Sequence, residues 1–170
     1  MNLRRLTIFL VAALALLVAA PAAVAAQTYS DTISGYEYAF TSTEGRFAGS
    51  ASGSLPGAWN ADVHHTPLCR TCTPTATITG GSFSLATTRN GLTALVWGSF
   101  VGGTVQLMNR GANCTNETFA VNGILGRVGW WTSGSGSGTF SATLTHYRRL
   151  VFGRCVTYGA SVRGTLSLTF

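Results

Sequence analysis

The stretch GTFSATLTHYRRLVFGRCVTYGASVRGTLSLTF, residues 138–170, decides the fold. Phe140, Ala142, Leu144 and His146 alternate with Ser141, Thr143 and Thr145, the two-residue period of a strand with one buried face. Gly153 and Arg154 interrupt, and a second alternation runs from Val156 through Tyr158, Ala160, Val162, Gly164, Leu166 and Leu168 to Phe170. Two such runs joined by a short loop predict an antiparallel hairpin.

The same grammar extends upstream. Gln27 to Ser34 is polar and reads as a loose arm, and Tyr36, Tyr38 and Phe40 form the apolar side of a first strand that ends at Glu44-Gly45-Arg46. Phe47 to Leu55 and Trp59 to His65 give two more strands, closed by Pro56-Gly57 and Pro67. Thr75 to Thr88 is a fourth, with a bulge expected at Gly80-Gly81 and a tight turn at Asn90-Gly91. Leu92 to Met108 is long for one strand and must bend or break near Gly102-Gly103. Phe119, Val121, Gly123 and Leu125 alternate again, and Ser133 to Gly138 is a Gly-Ser run, flexible by composition. The expected fold is all-β: a single small antiparallel barrel of about eight strands in up-and-down order, braced by disulfides, with a β-sandwich as the alternative.

Residues 1–26 have the form of a secretory signal: Arg4 and Arg5, an apolar run from Leu6 to Ala20, then Pro21 and the small residues Val24-Ala25-Ala26. Cleavage after Ala26 leaves 27–170 as one domain and a secreted, extracellular protein without stable membrane insertion. An uncleaved anchor is the competing reading, because Leu6 to Ala26 matches the roughly 20 residues that span a bilayer. The chain contains no Lys, and beyond Ala26 nine Arg face five acids (Asp31, Glu37, Glu44, Asp62, Glu117), a charge too small and scattered to argue for nucleic acid.

If Leu92 to Met108 is one strand, every loop after an odd-numbered strand lies at one rim. Cys69, Cys72, Cys114 and Cys155 all fall in or beside those loops, as disulfide partners must. Export favours two disulfides, Cys114 with Cys155 and Cys69 with Cys72 being the preferred pairing of three. The same rim collects Arg46, Arg70, Arg110, Arg148, Arg149 and Arg154, with His65 and His146 in phase with the apolar face.

Several side chains qualify as candidates for chemistry. His65 and His146 can act as an acid/base pair, aided by Tyr147 or Asp62, because imidazole titrates near neutral pH. Arg110, Arg148, Arg149 and Arg154 can clamp an anion through paired hydrogen bonds, and Trp130 and Trp131 can stack on sugar rings. His64-His65 with Cys69 and Cys72 has the residue types of a zinc site, but oxidising conditions favour disulfides, so no metal and no cofactor is assigned. Gly57-Ala58-Trp59 resembles the Gly-x-Trp of lipocalins, yet it follows two strands where that family carries it at the first, and no family is assigned on it.

Three functions fit. The leading expectation is a secreted, non-enzymatic barrel binding a small or polymeric ligand, anionic if the arginines converge, or a carbohydrate, at the disulfide-braced rim. The second is an extracellular enzyme of isomerase or cyclase type using His65 and His146. The third is a small outer-membrane barrel, because Val162-x-Gly-x-Leu-x-Leu-x-Phe170 resembles the C-terminal signature of those proteins.

Overall fold

The computed structural model describes residues 25–68 and 74–170. Most of the signal-like segment, and the loop carrying Cys69, Arg70 and Cys72, lie outside the described residues. Eight strands follow one another as β1 (Thr28–Phe40), β2 (Glu44–Gly53), β3 (Gly57–His65), β4 (Thr75–Arg89), β5 (Leu92–Asn109), β6 (Glu117–Trp130), β7 (Gly136–Val151) and β8 (Arg154–Thr169). Each pairs antiparallel with the next and β1 pairs with β8, so the sheet closes into an up-and-down barrel. The β-sandwich alternative falls with that closure.

Turn chemistry sets the hairpins. Asn90 and Gly91 at φ 52° and 76°, and Phe152 and Gly153 at 48° and 74°, put both central residues of a two-residue turn in the left-handed region, whose twist matches that of the flanking strands. The β4 bulge falls at Thr79, where His64 pairs with Gly80 but His65 with Ile78. β5 is one strand whose pairing with β6 slips at Gly98, Val101 and Met108, and these slips supply the expected bend.

Four expectations need correction. Gln27 to Ser34 is not an arm: from Thr28 onward it is β1, held on both sides by β2 and β8. Its inward face is Asp31, Ile33, Gly35 and Glu37, so Tyr36 and Tyr38 point outward; a bulge at Tyr38 then reverses the phase and returns Phe40 to the barrel mouth. β8 does not keep a single phase either. Tyr147 pairs with Gly159 but Arg148 with Thr157, so the extra residue Tyr158 turns outward and Thr157 inward. Gly136 to Gly138, read as flexible, starts β7, and a side chain at Gly138 would meet the Ser167 carbonyl at 2.5 Å.

The end of the barrel bearing the β4–β5 turn is packed solid. Trp59 is fully buried, its ring 5.8 Å from that of Phe140, which lies 6.0 Å from Phe100; Phe83, Leu85, Val96, Leu125, Leu166 and Leu168 fill the space around them. The Trp59 indole N–H donates to the carbonyls of Ser34 and Ser50, so the one polar atom of this plug has partners. The outer wall is largely hydroxyl-bearing, with cross-strand pairs such as Ser34 with Ser50 and Ser141 with Asn122.

Candidate binding site at the barrel mouth

At the rim where the loops after the odd strands gather, the lumen opens as a cavity of about 380 Å3. Its wall is apolar on the β5–β7 side, from Val105, Leu107, Phe119 and Leu144, and is completed by Leu68 and Phe40. The polar lining comes from Glu37, Thr41, Ser42, Glu44, His65, His146 and Thr157.

Strand phase places the two central groups. On β7, His146 continues the inward series Phe140, Ala142, Leu144; on β1, Glu37 continues Ile33 and Gly35. Their side chains meet with His146 Nε2 2.6 Å from Glu37 Oε2, both nearly buried, and the imidazole lies between the rings of Phe40 and Phe119 at 5.1 and 5.0 Å. An ionised carboxylate only accepts, so Nε2 carries a proton, and in the neutral imidazole Nδ1 is left as an acceptor. Among the described residues neither Nδ1 of His146 nor Oε1 of Glu37 has a hydrogen-bond partner. His65 lines the same cavity; its Nδ1 donates to the Thr66 carbonyl at 2.8 Å, which in the neutral imidazole leaves Nε2 as a further acceptor.

The other candidates separate. Tyr147 faces outward, its hydroxyl 2.8 Å from Ser161 Oγ, and cannot join His146. Asp62 is on the outer wall with His64, 3.2 Å away, so it serves neither His65 nor His146. Glu44, Asp62 and His64 approach within 4.8 Å of one another in the manner of metal ligands, but the Arg46 guanidinium already bonds Glu44 and lies 3.9 Å from Asp62. The Glu44 hydrogen bond and charge raise Arg46 above the ordinary guanidinium range. His64 and His65 point to opposite faces of β3, which leaves them no common metal.

The arginines share a rim but not an opening. Arg148 is turned inward and committed: it donates to Glu117 Oε1 at 2.9 Å and to the carbonyls of Arg110 and Gly111. Arg149 lies over the Tyr158 ring on the outside, and Arg110 and Arg154 are exposed. None of the four lines the cavity. Trp130 and Trp131 belong to the opposite end, where Trp130 packs on Phe170 and Tyr29 under Arg89 and Trp131 stands exposed.

Cys114 and Cys155 form a disulfide, with Cα atoms 5.5 Å apart, tying the β5–β6 loop to the start of β8 at this rim. Sequence reasoning passed over Glu37 and Thr157, which line the cavity, and Glu117, which anchors Arg148 at the same rim. Glu117 had a signal, being in phase with Phe119 and Val121; Thr157 had none, because only the bulge at Tyr158 turns it inward.

Fold and site together define a closed eight-stranded meander barrel with one plugged end and one apolar, acceptor-lined cup. Comparison with known protein families, with curated proteins and with solved structures finds no match to this chain.

Proposed function

We propose that the protein is a secreted, non-enzymatic binding barrel whose cup takes a small, largely apolar molecule carrying a hydrogen-bond donor, an amine or a hydroxyl. The observation that carries this reading is the lining. Apolar walls surround Glu37, Glu44 and two imidazoles, and among the described residues no guanidinium lines the cavity, so the free Glu37 oxygen and the second nitrogen of each neutral imidazole are offered there as acceptors. A buried acceptor without a donor costs about 1–3 kcal/mol, which a donor on the ligand recovers. The disulfide supports an oxidising compartment. An anionic ligand finds no arginine among the described residues that line the cup.

Titration calorimetry with decylamine, decanol and decanoate tests the proposal. Amine and alcohol should bind one to one and decanoate at least tenfold more weakly, and Leu144→Trp, which fills the cup, should abolish binding without lowering the melting temperature by more than a few degrees. Equal affinity for all three, or binding that survives Leu144→Trp, removes the cup from the explanation.

A second reading has one specific observation behind it. An imidazole oriented by a buried carboxylate, with its other nitrogen free in a cavity, is the arrangement of a general base. An isomerase of this kind would lose turnover with His146→Ala while still binding decanol. The outer-membrane reading is disfavoured by the Ser/Thr outer wall and apolar lumen, the reverse of the polarity that lipid exposure requires.

A further inference from the structure

The ladder between β6 and β7 stops at Glu117 and His146, and that between β1 and β8 stops at Gly35 and Val162. β7 and β8 nevertheless go on pairing with each other to Val151 and Arg154. Residues 147–161 are therefore a two-stranded finger that stands beyond both neighbouring ladders. The Cys114–Cys155 disulfide and the Arg148–Glu117 ion pair hold it from the β5–β6 side.

Its tip is hard to explain as a solvated turn. Phe152 occupies a left-handed backbone position, φ 48°, which a bulky residue adopts at a cost, and its side chain is fully exposed. Leu150 beside it is 67% exposed. Arg149 and Arg154 flank the pair, and the adjoining β5–β6 turn repeats the combination with exposed Met108 and Arg110. None of these three arginines is in an ion pair among the described residues, and the only acid near them, Glu117, is buried under Arg148. Apolar side chains at the summit with cations just behind are matched to a surface that is apolar within and anionic at its boundary.

We infer that the 147–161 finger docks the barrel, mouth first, on an anionic lipid surface, with Phe152 and Leu150 entering the headgroup boundary and Arg149, Arg154 and Arg110 meeting lipid phosphates. The contact is peripheral: the hydroxyl-bearing wall of the barrel stays in water. It stands independently of what the cup binds, although it would set the cup's opening against the bilayer.

Sedimentation with vesicles tests it, using the full barrel at about 0.1 M salt. Phosphatidylcholine vesicles containing one third phosphatidylglycerol should pull the protein down and pure phosphatidylcholine vesicles should not. Phe152→Ser with Leu150→Ser should weaken binding at least tenfold, and each of Arg149→Ala, Arg154→Ala and Arg110→Ala about fivefold, with added salt acting in the same direction. Circular dichroism confirms that the exposed substitutions leave the sheet intact. Binding to neutral vesicles as strong as to anionic ones, no binding to either, or a tip-dependent dimer in place of vesicle binding each overturns the inference.

Discussion

Replacing both Cys114 and Cys155 by alanine should make the barrel markedly less stable, mainly through the unfolded chain. The bond joins residues 41 apart in sequence. In the chain-entropy account, releasing a loop of that length returns about 13 cal/mol/K to the unfolded ensemble, or about 4 kcal/mol at 25 °C. A barrel of roughly 140 residues has an unfolding entropy of about 0.3 kcal/mol/K near its midpoint, so the melting temperature should fall by about 13 °C. Urea unfolding followed by tryptophan fluorescence provides a second reading, because Trp59 and Trp130 are packed in the native state. The freed chain exposes more surface when unfolded, so the urea slope should rise as the midpoint falls. A drop of less than about 4 °C, or a large drop with an unchanged slope, refutes the argument and locates the stabilisation in native contacts around the finger.

Other perturbations follow from the same geometry. Trp59→Ala empties the centre of the plug and should cost about 3–5 kcal/mol in urea unfolding. Arg148→Ala removes one partner of buried Glu117 and should cost about 1.5–3 kcal/mol, while Arg149→Ala, on the outer face, should stay within about 0.5 kcal/mol. Asp31 is buried with Oδ1 accepting from the Leu55 amide and Oδ2 without a hydrogen bond; Asp31→Asn keeps an acceptor there and should be tolerated, whereas Asp31→Ala should cost about 1–3 kcal/mol. At Gly49 an added methyl would lie 2.0 Å from the Ser34 carbonyl, so Gly49→Ala should lower stability by about 1–3 kcal/mol in the same assay.

The strand count, the meander order and the Cys114–Cys155 pair at one rim were legible in the sequence, because clean alternation in β3, β6 and β7 fixed the phase and parity did the rest. β1 misled for a physical reason. Its inner face carries Asp31, Ile33, Gly35 and Glu37, only one of them large and apolar, while Tyr36 and Tyr38 decorate the outside with the stronger-looking pattern. Bulges at Tyr38 and Tyr158 reverse phase midway along a strand, and period-2 reading has no term for an extra residue. His65 and His146 were correctly brought to one cavity. The arginines were not, because a rim has an inner and an outer side and loop position alone does not say which.

The closure of β1 on β8 also makes the chain's linear order a matter of bookkeeping. Gln27 and Phe170 exchange both backbone hydrogen bonds at 3.1 Å, so two residues 143 positions apart in sequence are ladder neighbours. A gene rearranged to start at Gly91, with a short glycine linker joining Phe170 to Gln27, would encode the same ring of strands cut at the Asn90-Gly91 turn. Such a circular permutant would leave the cup and the finger untouched at the far end, free of any engineered terminus.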